Sequence, residues 1–169
     1  NPKESMWYQE GMTRVNMAVG SAHQNPDGTN VVSASGLLND GSDTVRVIAA
    51  DMTLDRISVI VNSFIEMHDA EAFLVDKDSS VILASRDSDL ISKTLGADGQ
   101  SAFYKDVEKK VSGKSYDFCT LDGNMTVFKE VNGTNWLLVS YVPTNVVLAD
   151  LVGLRNLMII FSIISILVL

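Results

Sequence analysis

The last thirteen residues of the chain, 157–169, read LMIIFSIISILVL and constrain the molecule more than any other stretch. They carry no charge, and their polar residues are Ser162 and Ser165. A helix on the surface of a soluble protein keeps one polar face, which this run lacks. A helix of this length spans roughly 20 Å, against about 30 Å for the hydrocarbon core of a bilayer. The run therefore predicts the beginning of a transmembrane helix, with a buried C-terminal helix as the alternative.

If this run enters a membrane, everything before it lies on one side of the bilayer. The chain opens in a polar, proline-containing stretch without an initiator methionine, so we expect an internal fragment of a larger membrane protein. The formal net charge is −8, and clustered Lys and Arg that could neutralise phosphates are missing. The composition therefore predicts a folded, acidic domain with no nucleic-acid partner.

The first half of the chain contains an antiparallel hairpin followed by a helix. The segments 28–38 and 44–52 are rich in β-branched residues, and NDGSD between them is a turn signal. TLDRISVIVNSFIEMHD then changes to helical spacing, and either Thr53 or Asp51 could cap its start. One apolar stripe is formed by Leu54, Ile57, Ile60 or Val61, Phe64 and Ile65.

The second half repeats this pattern with more strands. Residues 70–85 read as strand, tight turn and strand, and residues 101–113 have the 3.6-residue period of a helix. Three further strands lie in KSYDFCTL, NMTVFKEV and NWLLVSYVP, linked by the hairpin turns DGN and NGT. This order predicts an α+β fold of antiparallel sheets with flanking helices, because a doubly wound parallel fold would alternate strand and helix.

Five segments occur in an order that resembles a known family: WYQEGM, VVSASGLL, VIAADMTLDRIS, AFLVDKDSSVILAS and NWLLVSYVP. The chain is similar to double Cache domains, the PAS-like extracytoplasmic sensors of bacterial chemoreceptors, sensor histidine kinases and diguanylate cyclases. The resemblance implies the C-terminal part of a membrane-distal module with its connecting helix over 1–68. It implies a complete membrane-proximal module over 69–145, and a juxtamembrane segment with the start of the transmembrane helix over 146–169.

The resemblance also implies a ligand site. Family members that bind amino acids carry Arg-x-Trp-Tyr, then Tyr-x-Asp, then an Asp after the hairpin. The corresponding positions here are Trp7, Tyr8, His23, Asn25 and Asp51. Ser5 stands where the Arg would hold a ligand carboxylate through paired hydrogen bonds, and Asn25 removes one of two anions around an ammonium group. A cationic amine, a neutral metabolite and a weak acid therefore all remain open as ligands.

Each of these residues also has a purely structural interpretation. Trp7 and Tyr8 could belong to the core, and Asp51 could simply cap the helix that begins beside it. His23 and Asn25 lie in the polar, turn-rich segment SAHQNPDGT and could be exposed to solvent.

The functional prediction is a non-enzymatic sensor without a cofactor or metal. Two His and the single Cys119 leave little material for nucleophilic catalysis or a zinc site. The resemblance implies a small-molecule ligand, a homodimer, and a bacterial inner-membrane location with the domain outside the cytoplasm and the C-terminal helix in the lipid bilayer. The alternatives are a membrane-tethered protein-interaction domain with a degenerate pocket and a membrane-anchored hydrolase.

Overall fold

A computed structural model of the chain describes residues 1–41, 43–65, 69–149, 153, 155 and 157–159. The first half contains a short 3-10 turn followed by five elements: α1 (Met6–Met12), β1 (Ala18–Gln24), β2 (Asn30–Leu38), β3 (Arg46–Thr53) and α2 (Leu54–Ser63). The second half contains β4 (Glu71–Asp76), β5 (Ile82–Ser85), a 3-10 turn (Ser88–Leu90), α3 (Ala102–Ser112), β6 (Cys119–Leu121), β7 (Asn124–Glu130) and β8 (Trp136–Pro143). Residues 144–149 continue from β8 as a helix.

The first sheet has the strand order β1-β2-β3, and both of its pairings are antiparallel. The predicted hairpin is therefore confirmed as β2 and β3. β3 passes directly into α2, and the hydroxyl of Thr53 accepts a hydrogen bond from the Arg56 backbone N–H at 3.2 Å. Thr53 is thus the N-cap, and the capping role considered for Asp51 is wrong.

The second sheet has the order β5-β4-β8-β7-β6, again wholly antiparallel. Its tightest turn joins β6 to β7, where Asp122 has φ 46° and Gly123 φ 76°. Two successive left-handed residues give the turn a twist that matches the flanking strands, which is why a DG pair fits here. β6 is only three residues long, shorter than the predicted strand in KSYDFCTL.

Two apolar clusters hold these layers together. One fills the space between the second sheet and α3, where Phe103, Val107 and Val111 are buried at the predicted helical spacing. The other joins the two halves of the molecule, because Val32 of the first sheet and Leu54 and Ile57 of α2 pack with Leu74 and Leu83 of the second sheet. Because its buried side chains contact the second sheet, α2 connects the two sheets by apolar packing.

The α+β fold with antiparallel sheets and flanking helices is confirmed. Two elements were not predicted: α1, and β1, which occupies much of the segment interpreted as polar and turn-rich. The described part of the chain contains no helix that is both long and apolar enough to cross a membrane. Residues 160–169 of the apolar C-terminal run lie outside the described residues.

Candidate functional site

One face of the first sheet collects the polar residues singled out from the sequence. Ser33 lies directly opposite Asp51 in the β2–β3 pairing, so the two side chains point to the same face. His23 lies opposite Val31, two residues before Ser33 on β2, and so shares that face.

A β-bulge decides which way His23 points. The β1–β2 register shifts between Val19 and Ala22, which inserts one extra residue into β1. Because strand side chains alternate between faces, the extra residue reverses the orientation of everything after it. Without it, His23 would face the second sheet, as Val19 and Ala22 do where they pack against the cluster that joins the two sheets.

The side chains form a connected polar cluster, which we name the β1–β3 cluster: His23, Asn25, Ser33 and Asp51. The Ser33 hydroxyl donates to Asp51 Oδ1 at 2.6 Å. The Asn25 amide approaches Asp51 Oδ2 at 3.4 Å, and Ser33 Oγ lies 3.5 Å from His23 Nε2. The structure therefore brings together three of the five predicted positions and adds Ser33.

The exposure of these residues differs in a way that suits a binding surface. Ser33 is only 1% exposed, His23 and Asn25 are half-buried, and Asp51 is exposed. Ser33 thus holds one carboxylate oxygen of Asp51 from below, while the longer contact to Asn25 leaves the second oxygen accessible to a new donor. The alternative that His23 and Asn25 are simply exposed to solvent therefore holds only in part, because both side chains are half-buried.

Trp7 and Tyr8 lie on α1, which packs across the same face of the sheet. Both side chains are half-buried, and the rings meet edge to face with centroids 5.7 Å apart and planes at 80°. No hydrogen bond within the described residues joins either ring to the β1–β3 cluster. The rings are therefore next to the sheet that carries the cluster, on an element that the sequence pattern did not reveal.

The seating of α1 on the sheet is held by polar contacts and by close approach. Glu10 accepts a hydrogen bond from the Ser21 backbone N–H at 3.1 Å, in the bulged part of β1. A Cβ on Gly20 would overlap the Glu10 carboxylate, so this position requires glycine while Glu10 stays in place. Arg14 donates to the Ala18 carbonyl at 3.0 Å and lies 3.4 Å from Glu10.

The chemistry of the cluster is that of an acceptor site. It offers a carboxylate, an amide and an imidazole, and no ion pair among the described residues involves Asp51. Ser5, which stands where the resemblance predicts an Arg, lies at the N-terminal end of α1 and adds no positive charge. The cluster can therefore receive an ammonium or other N–H donor, whereas a ligand carboxylate would find no cation in it.

A metal ion is a poor fit for the described part of the molecule. It contains no group of three or more His, Cys, Asp or Glu side chains placed to share an ion. Asp76 accepts hydrogen bonds from the backbone N–H groups of Asp78 and Ser79 at 3.0 and 2.9 Å. Its carboxylate is thus engaged within the tight β4–β5 turn.

A separate groove of about 360 Å³ lies between α2 and the second sheet. Its walls are almost wholly apolar and include Ile60, Phe64, Trp136 and Leu138, with Ser140 as a polar exception. A polar metabolite would lose its hydration there without gaining partners. The groove is therefore a much less suitable site for such a ligand than the β1–β3 cluster.

Comparison with known proteins supports the resemblance to bacterial sensor domains. No family model matches the chain. The methyl-accepting chemotaxis protein McpG of Pseudomonas putida is 34% identical over 97 residues, which cover 56% of this chain and 15% of McpG. The match is thus to a segment of a chemotaxis receptor.

Solved structures extend the likeness to nearly the whole chain. The ligand-binding domain of the Pseudomonas fluorescens chemoreceptor CtaA, in complex with L-isoleucine, has a TM-score of 0.63, 18% identity, and coverage of 89% of this chain and 61% of CtaA's. The ligand-binding domain of the Pseudomonas aeruginosa amino acid chemoreceptor PctB, in complex with L-Arg, has a TM-score of 0.61 and 21% identity, and the match covers 92% of this chain and 61% of PctB's. The extracellular domain of mmHK1S-Z3, assigned as a histidine kinase, has a TM-score of 0.70 and 18% identity, and the match covers 92% of this chain and 59% of that domain's.

At these identities the solved structures show a shared fold. The chain spans about three fifths of the length of the solved domains and 15% of McpG. The predicted resemblance to the sensor domains of chemoreceptors and histidine kinases is confirmed.

Proposed function

We propose that this chain, which has the fold of the sensor domains of chemoreceptors and histidine kinases, senses a small molecule outside the cytoplasm for a bacterial transmembrane receptor. It would bind its ligand without transforming it. The observation that carries this proposal is the β1–β3 cluster: a bulge, a buried serine and an accessible carboxylate converge on the sheet face against which α1 packs. Such convergence of polar groups on a partly apolar surface is typical of metabolite sites.

The ligand is proposed to be a metabolite with an amino group or another cationic N–H donor. CtaA and PctB were solved with L-isoleucine and L-Arg bound, which supports a ligand of metabolite size. Asp51 supplies the negative charge that attracts an ammonium group, and Trp7 and Tyr8 supply aromatic surface on α1, the helix that packs against the same sheet. Because Ser5 replaces the family's Arg, recognition would depend on the amino end of the ligand more than on a carboxylate.

Binding can reach the second sheet through α2. Asp51 is two residues before Thr53, the cap of α2, so a ligand that pulls on Asp51 acts at the start of that helix. Leu54 and Ile57 then pack with the second sheet, and the buried Ser58 hydroxyl accepts from the Ser85 backbone N–H of β5 at 3.3 Å. A ligand shifts such an arrangement only by its difference in affinity for the two states.

The output end follows from the order of the strands. β4 pairs with β8, and the chain leaves β8 as the helix at 144–149. We propose that this helix continues into the apolar run and enters the bacterial inner membrane, that the sensor is a homodimer, and that a cytoplasmic output module follows. If so, the chain stays with membranes after an alkaline carbonate wash, and deletion of 157–169 releases it.

The ligand proposal is tested by calorimetry against a panel of amines, amino acids and neutral metabolites. We expect an amine to bind to the wild type, and the Asp51→Ala and Trp7→Ala variants to weaken binding at least tenfold. Asp117→Ala is the matched control, since it removes an exposed aspartate of the loop before β6. A bound metabolite whose affinity neither variant changes would place the site elsewhere. No binding together with a defined protein complex would favour the protein-interaction domain.

A further inference from the structure

His23 presents a hydrogen-bond acceptor to the β1–β3 cluster. The backbone carbonyl of Ser21 lies 3.2 Å from His23 Nδ1. A carbonyl oxygen can only accept, so the hydrogen of the neutral imidazole is on Nδ1. The other ring nitrogen, Nε2, then has a free lone pair and can only accept a hydrogen bond.

The Ser33 hydroxyl lies beside this lone pair but cannot satisfy it. Ser33 Oγ is 3.5 Å from His23 Nε2. Its single hydrogen is directed at Asp51 Oδ1, 2.6 Å away, where the hydroxyl must donate because a carboxylate only accepts. Ser33 and His23 thus direct lone pairs toward each other, and no other hydrogen bond within the described residues reaches Nε2. The nitrogen is therefore open to a donor from outside the chain.

Two kinds of donor can use this lone pair. A proton on Nε2 gives an imidazolium, and its new N–H can donate to Ser33 Oγ. An ammonium group can use it instead, because Nε2 and Asp51 Oδ1 both lie within 3.5 Å of Ser33 Oγ and one small cation can contact the imidazole and the carboxylate together. The two donors exclude each other, since the lone pair is single and an imidazolium repels a cation.

The other charged groups around His23 do not change their charge in the range where an imidazole does. The titratable and charged groups of the surrounding elements are Asp51 of β3, Tyr8 and Glu10 of α1, Arg14 after α1, and Asp27 of the β1–β2 turn. Glu10 and Arg14 lie 3.4 Å apart and offset each other. Asp27 accepts from the Thr29 backbone N–H, which lowers its pKa. Of these side-chain types, imidazole alone changes charge between about pH 5 and 8.

We propose that His23 Nε2 accepts a hydrogen bond from the amino group of the ligand, and that a proton competes with the ligand for this nitrogen. This role rests on the proposed function, because it concerns the ligand of the same cluster. It narrows the ligand class to cations that carry N–H, since a quaternary ammonium group has the charge but no hydrogen for Nε2. The affinity for an amine then falls in acid, and a receptor built on this chain responds less to an amine at low pH than at neutral pH.

The first test needs no ligand. It is nitrogen–proton correlation NMR of the imidazole rings of the 169-residue chain, in detergent because of its apolar end. At pH 8 we expect a hydrogen on His23 Nδ1 and none on Nε2. The chain has one other histidine, His68, so the spectrum of the His23→Phe variant assigns the signals. A hydrogen on His23 Nε2 at pH 8 would overturn the proposed role.

The second test is calorimetry with 2-phenylethylamine and its N,N,N-trimethyl derivative, both of which are cations at pH 5.5 and at pH 8. We expect the amine to bind at pH 8, and the trimethyl derivative to bind about tenfold more weakly, the usual effect of losing a hydrogen bond to a charged group. At pH 5.5 the amine should bind about tenfold more weakly than at pH 8. His23→Phe should lower the affinity at pH 8 and remove the pH dependence, whereas the matched control His68→Phe should keep both.

The outcomes separate the role of His23 from the proposed function. Equal amine affinity at both pH values, equal binding of the trimethyl derivative, or a folded His23→Phe variant with wild-type affinity would overturn the role of His23 and leave the amine site on the first sheet standing. No binding of 2-phenylethylamine at pH 8 would also overturn the role of His23. If every other amine of the panel fails to bind as well, the proposed ligand class falls with it.

Discussion

Removing the Tyr141 hydroxyl tests whether the hydrogen bonds that connect Tyr104, Tyr141 and Glu71 stabilise the second sheet. Tyr141→Phe deletes the donor to Glu71 and the oxygen that lies 3.4 Å from the Tyr104 hydroxyl. It keeps the ring, whose centroid lies 4.3 Å from that of Phe103 and 6.2 Å from that of Phe73. The substitution therefore isolates the hydroxyl from the apolar packing.

The magnitude follows from the type of hydrogen bond and from its exposure. A hydrogen bond to a charged group contributes about 1.5–3 kcal/mol when it is shielded from water. Glu71 is exposed, so water can replace the phenol at its carboxylate, and the contribution falls to about 1 kcal/mol. We expect the free energy of unfolding to drop by that amount at pH 8. The contact between the hydroxyls of Tyr141 and Tyr104, at 3.4 Å, is too long to contribute much to the free energy of unfolding.

The difference between the two proteins should depend on pH in a defined direction. The folded-state pKa of Tyr141 is raised above the value of about 10 for an unfolded tyrosine. Above pH 10 the unfolded chain loses the proton that the folded chain keeps, so the stability due to Tyr141 is full below pH 10 and is lost as the pH rises. The loss is at most about 1.4 kcal/mol per pH unit.

The assay is urea unfolding of the wild type and Tyr141→Phe between pH 8 and 11.5. The free energy of unfolding of the wild type should exceed that of Tyr141→Phe at pH 8. This difference should shrink above pH 10 and vanish near pH 11, because the wild type loses up to about 1.4 kcal/mol per pH unit there. Lys77 and Lys109 also have raised pKa values, caused by Glu130 and Asp106, but both proteins share them and their effect cancels. A stability difference that stays constant over this range would refute the raised pKa, and equal stability at pH 8 would refute the hydrogen-bond chain.

Three further substitutions test the fold that positions the site. Thr53→Ala removes the cap of α2 and should lower the free energy of unfolding by about 1 kcal/mol, measured by urea unfolding against the exposed Thr120→Ala. Leu83→Ala empties a fully buried site between the sheets and should cost about 2–5 kcal/mol, whereas Leu38→Ala, at 41% exposure, should cost under about 1 kcal/mol in the same assay. Gly123→Ala places a Cβ at φ 76° in the β6–β7 turn and should cost about 1 kcal/mol, which thermal melting would detect; no change would contradict the left-handed turn.

The sequence predicted the second sheet well because its signals are local. The spacing of Phe103, Val107 and Val111 specifies a helix face, and DG and NGT specify turns, so each element can be recognised within about ten residues. The hairpin of β2 and β3 was predicted for the same reason. Fold class follows from the order of such elements.

The candidate site was harder to predict because it depends on one inserted residue. Nothing in AVGSAHQ shows where the bulge falls, yet the bulge alone puts His23 on the face of Asp51. β1 itself was missed since Gly, Ser and Gln are weak strand formers, and here pairing with β2 overrides propensity. Likewise α1 has only seven residues, too few for a periodic pattern.

The sequence does carry a signal for Ser33, the residue of the β1–β3 cluster that was not predicted. In VVSASGLL, Ser33 and Ser35 alternate with small and apolar residues, which places two hydroxyls on one face of a buried strand. Buried hydroxyls need partners, so this pattern indicates polar groups on the facing elements. The partners are Asp51 for Ser33 and Arg14 for Ser35.

The central claim is that a small molecule binds on the α1 face of the first sheet, and two-dimensional NMR of the labelled chain tests it most directly. On titration with the amine found by calorimetry, we expect the largest shift changes at the Trp7 indole N–H and at the backbone amides of Ser33 and Asp51. Smaller changes should follow along α2. Shift changes confined to the second sheet, with these three signals unmoved at saturation, would contradict the claim.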